Sequence, residues 1–367
     1  MIKYPVYQPQ LTGTEKQYVL DCLETNWISS KGKYIHLFEE SFAKYLGVEH
    51  SIAVCNGTVA LHVALLALDV GPGDEVIVPT LTYIASVNAI MYCGATPVFV
   101  DSNEHDWQMS PNDVSKSITK RTKAILAVHL YGQSCDMKSI MQIAKKNNLK
   151  IVEDAAEALG SSFENQKLGS YGDLATFSFY GNKTITTGEG GMVVTNNPDL
   201  HAKVVRLKGQ GLAPNREYWH DIIGYNYRMT NICAAIGFAQ MEHIEEVLAK
   251  KTKIANWYKQ YLPKHIKYQE QMESTFHSYW MFSILVPKSE DREPLRDYLK
   301  DKGIETRPLF YPIHSMPMYE QHSSSGRGFP VACDLASRGI NLPSYPDLQQ
   351  NDIIEICFHI EKYLFIY

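Results

Sequence analysis

Between residues 51 and 196 the chain alternates short, nearly unbroken aliphatic runs with longer segments of helical character. The runs are SIAVCN (51–56), DEVIVPT (74–80), TPVFVD (96–101), KAILAVHLYG (123–132), LKIVEDAA (149–156), ATFSFYG (175–181) and GGMVVTN (190–196). Helical patterns fall between several of them, among them TVALHVALLALDV, ASVNAIMYCG (85–94) and residues 137–147. A strand with one solvated face would alternate apolar and polar positions, and these runs do not. They predict strands covered on both faces, joined by crossover helices, hence a mostly parallel α/β sheet.

Beyond about residue 240 the chain becomes richer in Lys, Glu, Gln and Tyr. A long helical pattern over 241–262 is expected to bridge to a smaller α/β unit ending near 367. The expected division is therefore a large domain over 1–240 and a small C-terminal domain over 241–367. SSSGRG (323–328) is the one stretch that reads as a flexible loop, and no internal repeat occurs.

Composition narrows the function classes. With 367 residues, 45% apolar and 20% charged, the chain has ordinary globular proportions. A net charge of −5 argues against nonspecific attraction to nucleic acid or an anionic membrane. The start, MIKYPVYQPQLTG, lacks the apolar core of a secretory signal. Seven cysteines are scattered without a CxxC pair or metal-ligand spacing. They read as reduced thiols of a cytoplasmic protein, with no metal site expected.

Three local features carry chemistry. CNGTVALH (55–62) ends a strand, turns at Gly57 and opens a helix at Thr58, which offers free amides and a positive helix end to an anion. IVEDAAEALG (151–160) puts Glu153 and Asp154 at the end of an apolar strand, where ligands of open α/β sheets bind. Alternation aims the two at opposite faces, so Asp154 is the cleft candidate and Glu153 the structural one. Glu157 would share the face of Asp154 if a helix starts there. Lys183, in FSFYGNKTITTGEGG (177–191), ends the next apolar strand, with Ser178 on the same strand.

Singly, each feature has an ordinary reading: a capped helix, an ion-pair partner, a solvated lysine. Jointly they match what pyridoxal phosphate requires, namely an anion site, an acid for the ring nitrogen and an amine for the aldehyde. Tyr83 in TLTYIA would cover the ring. TGEGG opens no helix after a strand and so is not a dinucleotide fingerprint, and no GxxxxGK[ST] occurs.

At this level of detail the chain resembles a known family. NGTVALH, PTLTYIASVNAI, VHLYGQSCDM, EDAAEA, FSFYGNKTITTGEGGM and GYNYRMTNICAAIGFAQ (224–240) are similar, in order, to the DegT–StrS group of pyridoxal-phosphate-dependent sugar-nucleotide aminotransferases, which adopt fold type I. The resemblance implies cofactor binding by Gly57, Thr58, Tyr83, Asp154, Glu157, Ser178 and Lys183, with Lys183 the catalytic amine. It also implies that Asn226 reaches the partner subunit's cofactor phosphate, so that the site is completed in a homodimer. Arg228 would stabilise that segment or meet the substrate's diphosphate.

Trp27, Ser29, Ser30 and Lys31, in NWISSKG, would approach the substrate, a solvated loop being the competing reading. Arg307 and His314 would line the sugar or nucleotide pocket, with a structural role for the histidine equally open; Tyr311 and His277 are further candidates. The implied reaction moves the amino group of L-glutamate to a keto-sugar nucleotide. The stretches 7–32 and 305–319 narrow this to C4 of a GDP-linked sugar, against UDP- or dTDP-linked alternatives. Retention of Lys183 and the absence of clustered cysteines disfavour sugar dehydration.

Overall fold

A computed structural model of the chain describes residues 1–11, 13–322 and 328–366. Two helices, α1 (Thr14–Glu24) and α2 (Lys33–Leu46), precede the large sheet. There β1 (His50–Val54), α3 (Gly57–Ala67), β2 (Glu75–Pro79), α4 (Ile84–Tyr92) and β3 (Thr96–Val100) follow in turn. Next come α5 (Pro111–Ser117), β4 (Thr122–Val128), α6 (Met137–Asn147) and β5 (Lys150–Asp154). A short pair, β6 (Ser162–Phe163) and β7 (Gln166–Lys167), separates β5 from β8 (Leu174–Ser178) and β9 (Gly191–Thr195).

The seven long strands form one sheet in the order β1-β9-β8-β5-β4-β2-β3. Only β9 runs against its neighbours, which agrees with the mostly parallel sheet read from the sequence. Side-chain alternation then feeds two cores. Ala124, Leu126 and Val128 of β4 join Leu61, Ala64 and Val87 on one face. Ile125 and Ala127 join Phe38, Phe42, Ile140 and Phe177 on the other. Both faces are covered by helices, which is why the strand sequences show no polar alternation. Helix α3 is buried around most of its circumference, including His62.

α7 (Pro198–Lys208), α8 (Asn231–Glu242) and α9 (Ile244–Tyr261) lead out of this layer. The long helix expected over 241–262 is α9, which begins only at Ile244 because His243, at φ −119°, separates it from the end of α8. The remaining strands are β10 (Lys267–Tyr268), β11 (Thr275–Phe276), β12 (Phe282–Leu285), β13 (Arg307–Pro308) and β14 (Gly339–Leu342). A four-stranded antiparallel sheet, β10-β12-β14-β13, packs with α9, α10 (Arg292–Asp301) and α12 (Gln350–Glu361) around a third core. α11 (Pro330–Arg338) lies before β14. The N-terminal Tyr4 belongs to that third core and bridges Ile304, so the chain's start is held by its end. β11 pairs with β6. Apart from Gly328, the SSSGRG stretch lies outside the described residues.

The parallel strands all end on one rim, where β1 passes into α3, β5 ends at Asp154 and β8 at Ser178. At that rim β9 crosses the start of α3 at Gly191. A methyl group there would lie 2.6 Å from the carbonyl carbon and oxygen of Asn56 and 2.9 Å from the Gly57 nitrogen. Gly191→Ala is therefore expected to lose on the order of 1–3 kcal/mol of stability in urea unfolding. It should also retain cofactor less well than the parent.

Candidate active site

Where the strand ends converge, a cavity of about 380 Å³ opens. Its floor comes from the large sheet and its far wall from Trp280, Arg307, Phe310 and Asn341 of the C-terminal layer. One end is the start of α3. Asn56 caps this helix by accepting from the Val59 amide at 3.0 Å, which leaves the amides of Gly57 and Thr58 without intrahelical acceptors. A methyl at Gly57 would come within 2.8 Å of Ser178 Cβ. The helix end and the Ser178 hydroxyl can share one anion only because position 57 has no side chain.

At the floor, Asp154 is buried, as Glu153 is, but the two do different work. Asp154 Oδ2 accepts from Ser86 Oγ at 2.7 Å and Oδ1 from the Ala156 amide at 3.2 Å. Burial raises its proton affinity, and the Ser86 bond opposes that rise. Glu153 points to the other side, as alternation demands. It accepts from the amides of Gly169, Tyr171 and Gly172, each at 2.8 Å, and lies 3.1 Å from His129 Nε2. His129 Nδ1 accepts from the Cys135 amide at 3.2 Å, so the hydrogen on Nε2 faces Glu153. The structural role read for Glu153 is thus an anchor for the 169–172 loop.

Lys183 enters from the third side, its side chain 13% exposed. Nζ stands 3.7 Å from Glu157 Oε1 and 4.0 Å from the centroid of the Trp280 ring. Burial lowers the proton affinity of the amine, while the Glu157 and Asp154 carboxylates act against it. Burial likewise pushes Glu157 up to about 7, against the pull of Lys183. No helix follows β5; residues 156–160 make turns. Those turns bring Glu157 to the cavity by letting its Oε2 accept from the Tyr131 amide at 2.8 Å.

Gly57, Thr58, Tyr83, Asp154, Glu157, Ser178, Lys183 and Arg307 all line this one cavity. Tyr83, 56% exposed, leans toward Phe310 with ring centroids 5.6 Å apart. The other candidates lie elsewhere on the chain. Asn226 and Arg228 are exposed and paired, Asn226 Oδ1 accepting from Arg228 Nε at 3.1 Å. Trp27 and Lys31 line a separate depression with Asp21, Lys33 and Asn231, and the Ser29 carbonyl accepts from the Asn231 amide at 2.6 Å. His314 sits outside the cavity lining, its Nδ1 2.7 Å from Thr80 Oγ1 and its ring 4.5 Å from that of Phe329. His277 is fully buried and stacked on Tyr279, and Tyr311 is exposed.

Sequence reasoning missed Asn56, Ser86, Trp280, Phe310 and Asn341. Asn56 had a usable signal, an Asn three positions before Val59 at a helix start. Trp280, Phe310 and Asn341 had none, since only the fold brings the C-terminal layer against the sheet.

A match to the DegT/DnrJ/EryC1/StrS aminotransferase family spans residues 9–361. The chain belongs to that family. The aminotransferase is 56% identical over 363 residues to a GDP-perosamine synthase of Escherichia coli O157:H7, covering 99% of each chain. It is 48% identical to the GDP-perosamine synthase of Vibrio cholerae, with 98% of each covered. Its fold matches the pyridoxal-phosphate form of the sugar aminotransferase Spr1654 from Streptococcus pneumoniae, described as putative, at a TM-score of 0.92 and 28% identity, covering 98% and 99% of the two chains.

The aminotransferase depends on pyridoxal phosphate, and the cavity fits that group: an anion cradle at Gly57 that a Cβ would fill, a buried acid and a buried amine. Glu157 gives a test of its charge state in cofactor-free protein. Its folded proton affinity lies near 7 against an ordinary 4.5, so between those values the folded state binds more protons than the unfolded one. Stability from this group is complete below pH about 4.5 and is lost as pH rises to about 7. Glu157→Gln should flatten the decline of melting temperature over that range and melt higher than the parent at pH about 8.

Proposed function

We propose that the chain transfers the amino group of L-glutamate to C4 of GDP-4-keto-6-deoxy-D-mannose, giving GDP-perosamine and 2-oxoglutarate. The observation that carries the substrate is the 56% identity, over 99% of both chains, to a GDP-perosamine synthase. The chemistry rests on the buried amine of Lys183 between Glu157 and Trp280.

When bound, pyridoxal phosphate supplies the electron sink that allows an amine and a ketone to exchange at carbon. Gly57, Thr58 and Ser178 hold its phosphate. Asp154, fixed by Ser86 and the Ala156 amide, holds a proton at the ring nitrogen. Tyr83 covers one ring face. Lys183 Nζ, its proton affinity lowered by burial, is available as a neutral nucleophile and as the base that takes and returns the proton at the reacting carbon. Glu157, titrating near 7 and 3.7 Å away, holds the proton that Lys183 gives up. Trp280 and Phe310 keep water from the amine. Arg307, on the far wall of the cavity, offers a cation to the glutamate carboxylate or the sugar-nucleotide diphosphate.

The working unit we infer is a homodimer. Asn226 and Arg228 are exposed and lie outside their own chain's cavity lining, which supports a role toward a partner's cofactor phosphate. Around them Leu212, Tyr218, Trp219 and Ile223 expose apolar surface of the kind a partner covers.

Incubation with GDP-4-keto-6-deoxymannose and glutamate should give a product whose mass is that of GDP-perosamine. Lys183→Ala should lose on the order of 10³-fold or more in turnover. Retained parental turnover would remove Lys183 from its role, and conversion only of a UDP- or dTDP-linked sugar would overturn the substrate. For the shared site, Lys183→Ala and Asn226→Ala proteins, each weak alone, should regain activity when mixed and allowed to exchange subunits. No gain on mixing would contradict a composite site.

A further inference from the structure

Lys251 is a buried cation that the chemistry above does not use. It lies on α9, 1% exposed, and makes no salt bridge among the described residues. Its Nζ donates instead to the carbonyl oxygens of Ser344 at 2.7 Å and Trp280 at 3.3 Å. The Tyr7 ring centroid is 5.2 Å from the same nitrogen. Burial lowers the amine's proton affinity to about 7. An uncharged amine keeps two N–H bonds, one for each carbonyl, so the site is satisfied without a counter-ion. Its titratable neighbours are Tyr7, whose ionisation burial pushes far up, and His277, whose protonation is disfavoured by burial and then by the charges of Lys259 and Lys251.

Two of these partners lead to the reacting lysine. Trp280, whose carbonyl Lys251 holds, donates its indole N–H to the Asn182 carbonyl at 2.7 Å and presents its ring face to Lys183 Nζ. Tyr7 donates its hydroxyl to the Lys183 carbonyl. The Asn182–Lys183 backbone is thus gripped by two side chains from distant segments; Lys251 holds the backbone carbonyl of one, Trp280, and its amine lies 5.2 Å from the ring centroid of the other, Tyr7. Ser344 closes the arrangement: its amide donates to the Val6 carbonyl at 3.1 Å, and its hydroxyl accepts from the Phe282 amide at 2.8 Å.

We propose that Lys251 is a positioning residue for amino transfer, fixing Lys183 in the cavity through Trp280 and Tyr7 without touching substrate or cofactor. The proposal rests on the reading of Lys183 as the reacting amine. A residue needed only for folding would alter stability alone. A residue that sets the surroundings of Lys183 must also move the pH midpoint of the bound cofactor's absorbance.

The test is Lys251→Met in the holoenzyme, assayed with glutamate and GDP-4-keto-6-deoxymannose. We expect kcat to fall about tenfold, with KM for the keto sugar within about twofold of the parent. The absorbance midpoint should shift by at least about half a pH unit. An unchanged midpoint in folded, cofactor-loaded Lys251→Met overturns the proposal, whatever its rate. Should that variant not fold, Trp280→Phe keeps an aromatic face over Lys183 but loses the N–H to Asn182. It must then shift the midpoint, and an unmoved midpoint again overturns the proposal. Failure of the functional reading would look different: the unmodified protein would neither take up pyridoxal phosphate nor transfer the amine.

Discussion

The site depends on keeping an amine and two carboxylates together out of water. Each of Lys183, Glu157 and Asp154 would be charged in water; here the two acids are buried and the Lys183 side chain is largely shielded, at 13% exposure. Burial moves all three toward neutrality: the lysine's proton affinity drops and the two acids' affinities rise. Their mutual attraction opposes this without abolishing it. The balance leaves a lysine and a glutamate 3.7 Å apart, each moved toward its neutral form, so that their proton affinities lie closer together than in water. An exposed lysine would stay protonated at neutral pH.

The fold supplies that burial from two directions. The large sheet gathers strand ends on one rim, and short turns place Asp154, Ser178 and the start of α3 there. The C-terminal layer then covers the rim with Trp280, Phe310 and Asn341. The two layers are stitched together by the N-terminal segment, since Tyr4 packs in the C-terminal core and Tyr7 bonds the Lys183 carbonyl. Close approach at Gly57 and Gly191 lets β8, β9 and α3 meet at one rim of the cavity.

Much of this was legible in the sequence, for physical reasons that also mark where it stopped. Strands buried on both faces leave unbroken apolar runs, so the large sheet and the strand-end placement of Asp154 could be read, whereas Lys183, expected at the end of its strand, lies in the turns beyond Ser178, where β8 ends. Alternation separated Asp154 from Glu153 correctly. The glycines after Lys183 read as mere permission to turn, whereas Gly191 is required by the backbone of Asn56 passing 2.6 Å from where its Cβ would lie. The break at His243 was invisible because both flanking segments have helical periodicity. Glu157 reaches the cavity through turns and a bond to Tyr131 rather than through a helix, which no local pattern encodes. Trp280, Phe310 and Lys251 gain their roles only from contacts between distant segments, and such contacts leave no spacing to detect.

The central claim is that one amine, Lys183, carries the cofactor. Reducing the loaded protein with borohydride fixes the cofactor to whichever lysine holds it, and peptide mass mapping then finds that lysine. The account predicts the added mass on the peptide containing Lys183 and on no other lysine. An unmodified Lys183, with the cofactor fixed to a different residue, would contradict it.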